Sequence, residues 1–194
     1  SYNGKPAIDD ISFDVRAGEK FVFVGPNGAG KTTTIKMITT LLEKDAGKIA
    51  YGDLLVGRDD SAIRKKIGVV FQHHVLDDDF TVRENLICRG GFYDLSDREL
   101  RRRADEVIQV LDMGNFANQR YGKLSGAQRR RADIGRALMQ SPEFLFLDEP
   151  TTGLDPQTRR VVWEIINSIQ RDLGTTLFLT THYMEETDDA SSVY

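Results

Sequence analysis

The segment Gly25-Pro26-Asn27-Gly28-Ala29-Gly30-Lys31-Thr32 narrows what this chain can fold into more than any other. It matches G-x-x-x-x-G-K-[ST] at every fixed position, and its flanks agree. An apolar run, Phe21 to Val24, leads in, and residues suited to a helix from Lys31 to Leu42 lead out. A polyphosphate explains the residue types, because its anionic oxygens need several donors at close range. Glycines let main-chain N–H groups face inward without Cβ clashes. The outgoing helix adds the positive end of its dipole. Lys31 carries a full charge toward the β- and γ-phosphates, and Thr32 offers a hydroxyl to Mg²⁺. The loop extends to Thr33. A chance glycine-rich turn would not come with both the strand and the helix.

A second apolar run, Phe144 to Leu147, ends in Asp148 and Glu149. Ligands of α/β sheets bind at the carboxyl ends of such strands. Asp148 suits Mg²⁺, held through water because that ion keeps part of its hydration shell. Glu149 is placed to polarise an attacking water as general base. Without the phosphate loop, the two acids would read equally well as a helix cap or a solvated turn.

Val69 to Phe71 and Thr176 to Thr180 are also continuously apolar or nearly so, as parallel strands buried on both faces are. Ile11, Phe13 and Val15 alternate with polar residues and predict a strand with one wet face. Thr81 with Glu84 and Ser96 with Glu99 predict capping boxes, and Asp155-Pro156 predicts an N-cap followed by a first-turn proline. Leu100, Ala104, Val107, Ile108 and Leu111 recur at helical spacing, as do Val162, Ile165, Ile166 and Ile169. The class is therefore α/β with a mostly parallel sheet. One domain spans 1–194, with a helical lobe at about 81–139 inserted between two core strands.

A net charge of −4 gives no general pull toward nucleic acid, and no nucleic-acid partner is expected. No stretch approaches the ~20 apolar residues of a membrane helix, and no signal-peptide pattern opens the sequence. The single cysteine, Cys88, allows no internal disulfide and is expected as a small buried side chain. His73 and His74 are expected in a surface loop and Asp77 to Asp79 in a solvated turn. Arg101 to Arg103 should lie on a wet helix face, and Trp163 should pack. Arg129 to Arg131 are expected either to raise the local potential or to pair with acidic neighbours.

Taken together, these residues resemble the ABC ATPases, the family of nucleotide-binding domains that power ATP-binding cassette transporters. The resemblance covers nearly the whole chain. Leu124-Ser125-Gly126-Ala127-Gln128 is similar to the family signature and precedes Asp148-Glu149 at the usual spacing. The run from Glu149 to Asp155 and Pro156 resembles the Walker B end and D-loop. Gln72 resembles the Q-loop glutamine, His182 the switch histidine, and Tyr2 the aromatic that stacks on adenine. The fold implied is a P-loop NTPase core with an antiparallel N-terminal β subdomain and an inserted helical lobe.

The resemblance also implies a mechanism. Two copies, expected as a homodimer, pair head to tail, with each ATP and Mg²⁺ between one phosphate loop and the partner's signature. Ser125, Gly126, Ala127 and Gln128 would then present a second helix N-terminus to the γ-phosphate. His182 would hold that phosphate, Gln72 would reach the Mg²⁺ and water, and Asp155 would bridge the domains. The implied partner is a transmembrane permease subunit, with the chain on the cytoplasmic face of the cell membrane. The dialect of LSGAQRRR and TTGLDPQTRR looks most like separately encoded ATPases of bacterial multidrug and antibiotic-resistance exporters. The alternatives are a soluble ABC ATPase of translation or DNA repair and, more remotely, a small-molecule P-loop kinase. Two departures stand out. Ala127 replaces the usual signature glycine, and the chain stops at Tyr194 where family members continue, so both ends are expected to be trimmed.

Overall fold

The computed structural model describes residues 8–92, 95–188 and 190–194. Tyr2 and its expected adenine contact lie outside these residues. Five parallel strands form the main sheet in the order β4 (Ile67–Val70), β5 (Phe144–Asp148), β6 (Thr176–Thr181), β1 (Lys20–Val24) and β7 (Ser192–Val193). The short strands β2 (Ala50–Tyr51) and β3 (Leu54–Leu55) pair antiparallel.

Residues alternate across the faces of a strand, and here the two faces differ in kind. Phe21, Phe23, Phe146 and Phe178 point to one side and build an aromatic core with Ile35 and Ile38 of α1 (Lys31–Ile38). Phe21 and Phe178 stack with centroids 5.1 Å apart. Val22, Leu145, Leu147, Leu177 and Leu179 point to the other side, all fully buried. They meet Ile134 and Leu138 of α5 (Gly126–Leu138) and Val162, Ile166 and Ile169 of α6 (Pro156–Leu173). Each such leucine contributes about 2 kcal/mol by leaving water.

Three helix starts form as the sequence predicts. Capping boxes open α3 (Val82–Gly90) at Thr81 and Glu84, and α4 (Asp97–Val110) at Ser96 and Glu99. Asp155 caps α6, accepting from the amides of Gln157 and Thr158. The short α2 (Asp60–Arg64) precedes β4.

Several details depart from expectation. Residues 11–15 form no strand, although Ile11, Phe13 and Val15 do turn inward onto the aromatic core. The alternation recorded burial, but no neighbouring backbone among the described residues supplies a ladder. The described antiparallel sheet is thus only the β2–β3 ladder. The first helix ends at Ile38 rather than Leu42, and β4 ends at Val70, leaving Phe71 outside it. Cys88 is exposed, not buried, because α3 turns that face outward.

Candidate functional site

The strand registers bring the sequence-predicted residues to one edge of the sheet. Val24 pairs with Thr181, Asp148 with Thr180, and Val70 with Leu147. The residues that follow these strands, Gly25, His182, Glu149 and Gln72, therefore emerge on the same side. Between them lies a cleft of about 420 Å³, lined by Asn27, Gly28, Gly30, Lys31, Thr32, Thr33, Gln72, Glu149 and Thr152.

The loop shape depends on two left-handed residues, Gly28 (φ 84°) and Gly30 (φ 90°), where a Cβ would be strained. No side chain among the described residues caps α1. Its first amides are thus left to solvent or to an anionic ligand. Gly25 and Pro26 line no part of the cleft. Their carbonyls instead accept from Lys31 Nζ at 2.7 and 3.1 Å. The same nitrogen lies 3.2 Å from Glu149 Oε1. Ala29 donates its amide to the Pro26 carbonyl and so closes the turn.

Thr32 Oγ1 donates to Asp148 Oδ1 at 3.2 Å, and Thr180 Oγ1 donates to the same oxygen at 2.7 Å. A hydroxyl and a carboxylate side by side next to this cleft are hard oxygen donors of the kind Mg²⁺ takes.

Glu149 is the most constrained residue of the site. Its φ is 46°, in the left-handed region that non-glycine residues rarely occupy. Its amide donates to Thr180 Oγ1 at 3.0 Å. Oε2 accepts from Thr152 Oγ1 at 2.9 Å and from Gln72 Nε2 at 3.5 Å. His182 Nδ1 lies 3.4 Å from that oxygen but lacks hydrogen-bond geometry. Strain at one acidic residue, ringed by donors, is the pattern of a group held for a task.

Ser125, Gly126, Ala127, Gln128 and Asp155 are not among the residues lining the cleft. Ser125 caps α5 in a third capping box with Gln128. Ser125 and Gly126 are exposed and Ala127 and Gln128 half-buried, so this helix start is open to solvent outside the cleft. Gly126 backs onto Leu154, one residue before Asp155, where a Cβ would stand 3.5 Å from Leu154 Cδ2.

Sequence reasoning missed a set of ties between α5 and the segment after β4. Buried Arg130 donates to the carbonyls of Phe71 (2.8 Å) and Gln72 (3.0 Å). Burial pulls this guanidinium down from its ordinary value, and Asp133 opposes that shift. His74 does sit on an exposed loop, yet its Nδ1 lies 2.5 Å from Asp133 Oδ2. Tyr121 donates its hydroxyl to Asp133 at 3.1 Å. Burial, with Asp133 close by, holds that phenol well above its ordinary value. Arg129 and Arg131 do pair with acidic neighbours, Asp78 and Asp112, each at 3.6 Å, and they also hold the carbonyls of Gly122 and Asp112. Arg103 is not purely a wet-face residue, since it bonds the Leu138 carbonyl. Trp163 packs, as expected, against the aliphatic core. A spacing of three between Arg130 and Asp133 was the available signal, but only the fold shows what they grip.

Comparison with known proteins agrees with this geometry. A family model described as ABC transporter matches residues 8–152. The Nod factor export ATP-binding protein I of Paraburkholderia xenovorans is 42% identical over 188 residues, covering 97% of this chain and 62% of the relative. The daunorubicin resistance ATP-binding protein DrrA3 of Streptomyces coeruleorubidus is 42% identical over 187 residues, covering 96% of this chain and 59% of the relative. The chain therefore spans about three fifths of the length of these relatives. A solved dimeric ATP-binding cassette, in a post-hydrolysis state with ADP and Pi, superposes with a TM-score of 0.80 at 30% identity, over 93% of this chain and 82% of its own. A family model that matches most of the chain, together with relatives 42% identical along nearly all of it, shows that this chain belongs to the ABC transporter family.

Proposed function

We propose that this chain binds and hydrolyses ATP as the nucleotide-binding part of an ABC exporter. The observation that carries the reading is the convergence of Lys31, Thr32 and Glu149 on one cleft at the carboxyl edge of the sheet, with buried Asp148 hydrogen-bonded to Thr32. In this scheme the amides of Gly28 to Thr33 and the Lys31 ammonium hold the phosphates. Thr32, Asp148 and Gln72 would hold Mg²⁺, and the ion would supply Lewis-acid neutralisation of phosphate charge. Glu149, oriented by Thr152 and Thr180, takes a proton from the attacking water. His182 is near enough to Glu149 to order the same group.

The exposed N-terminus of α5 supports a two-copy arrangement. Ser125 to Gln128 would close over a partner's nucleotide, with Asp155 near the seam. Ala127 in place of glycine adds one methyl there and leaves the capping box intact. A transmembrane permease subunit is the proposed partner, at the cytoplasmic face of the membrane; no described helix is long and apolar enough to span one. The relatives named for export and drug resistance favour an exporter over a translation or repair ATPase. Glu149→Gln in the full-length protein tests the reading. It should bind ATP, accumulate as a nucleotide-bound dimer and lose hydrolysis by about 100-fold or more. Hydrolysis at the parental rate would remove Glu149 from its assigned role.

A further inference from the structure

Glu186 is a buried carboxylate for which this scheme has no use. It lies in the 3-10 turn Met184–Thr187 after β6 and is 7% exposed. Two hydroxyls donate to it. Thr151 Oγ1 reaches Oε1 and Thr181 Oγ1 reaches Oε2, each at 2.5 Å. Arg159 of α6 comes within 3.9 Å of Oε1 while lying over the Tyr183 ring, 4.0 Å from its centroid.

The threonines are what make this carboxylate informative. Thr151 stands two residues after Glu149, and Thr181 stands immediately before His182. The Thr181 carbonyl accepts from the Gly25 amide at 3.2 Å, and its hydroxyl also accepts from the Tyr183 amide at 3.0 Å. One side chain therefore joins the turn after β5, the turn after β6 and, through Thr181, the first residue of the phosphate loop. The two hydroxyls sit on different oxygens, so a carboxylate accepts from both, whereas an amide would put a donor opposite one of them and force that hydroxyl to reverse. The left-handed backbone of Glu149 persists only where its surroundings fix it, and Thr151 lies within that turn.

We propose that Glu186 is a positioning residue. By fixing Thr151 and Thr181 it sets the two strand-end turns so that Glu149 and His182 converge on the same point in the cleft. The proposal rests on the reading of that cleft as an ATP-hydrolysing site.

The test uses the full-length protein with Glu186→Gln, Thr151→Val and Thr181→Val, set beside Thr151→Ser and Thr181→Ser. Valine keeps the shape of threonine and removes the hydroxyl, whereas serine keeps the hydroxyl. The glutamine and valine variants should lose about tenfold or more in kcat, with KM for ATP within about twofold of the parent. The serine variants should return to within about twofold of the parental kcat. Three results would overturn the proposal: an unchanged kcat, joint loss of kcat and nucleotide affinity, or failure of serine to restore turnover. A parent that neither binds nor hydrolyses ATP would instead sink the underlying reading. That outcome is distinguishable because it precedes any comparison of variants.

Discussion

Lys31 Nζ lies 3.2 Å from Glu149 Oε1 across the floor of the cleft, with the two side chains 4% and 9% exposed. The ammonium is also shared with the Gly25 and Pro26 carbonyls. A cation and an anion buried together depend on each other, because either alone would have left water without compensation. In the proposed scheme a triphosphate entering the cleft would offer Lys31 a competing anion and free Glu149 for water.

Lys31→Met should therefore remove about 3 kcal/mol of stability as well as nucleotide affinity. Adding Glu149→Gln to it should restore most of that stability, because the orphaned charge is then gone. Urea unfolding of the two single variants and the double variant measures the coupling. A loss in the double variant equal to the sum of the two single losses would show that the pair is not coupled.

Ser125→Arg places a long cation at the exposed start of α5, outside the chain's own cleft. Loss of the cap should cost about 1 kcal/mol of stability. ATP binding to the single chain should stay within about twofold, while hydrolysis that needs a second copy should fall at least about tenfold. Titrating ATP binding and turnover in the same preparation separates the two effects.

Tyr121→Phe deletes one donor to the buried Asp133 carboxylate and leaves the ring in place. The expected loss is about 2 kcal/mol, as for a hydrogen bond to a charged group. Thermal or urea unfolding measures it, and a loss within error of zero would place no weight on this bond.

The carboxylates at the starts of α3, α4 and α6 are held below their ordinary range. Hydrogen bonds from Thr81 do this for Glu84, from Ser96 for Glu99, and from Thr158 with the neighbouring amides for Asp155. A depressed folded value means the stabilisation is complete above the unfolded carboxylate range. It is lost as pH falls through each lowered value. Asp155→Asn keeps a capping side chain that does not titrate. Its unfolding free energy should fall less steeply on acidification than the parent's, and identical slopes would contradict the linkage.

Much of the fold could be read from local pattern. Capping pairs such as Thr81 with Glu84 are satisfied within four residues, so tertiary context had little to overrule. The apolar runs at 21–24, 144–147 and 176–180 gave the buried parallel strands. Residues 11–15 failed because alternation reports which side chains turn inward, not whether a partner strand supplies a ladder. Cys88 failed because residue type was used in place of helix phase. The phosphate loop, Asp148 and Glu149 were visible because polyphosphate chemistry demands those residue types in a fixed order. Thr152, Thr180 and Glu186 were not, since a hydroxyl or carboxylate takes its meaning from whichever atom lies opposite it. Arg130 and Asp133 grip residues nearly sixty positions away, at Phe71, Gln72 and His74, and no local spacing encodes that.

Calorimetric titration of ATP into the full-length protein with Mg²⁺ present, run in parallel on Lys31→Ala, tests the central claim most directly. The parent should take up nucleotide at one site per chain, and the variant should bind at least about tenfold more weakly. Absence of any uptake by the parent, or unchanged affinity in the variant, would contradict it.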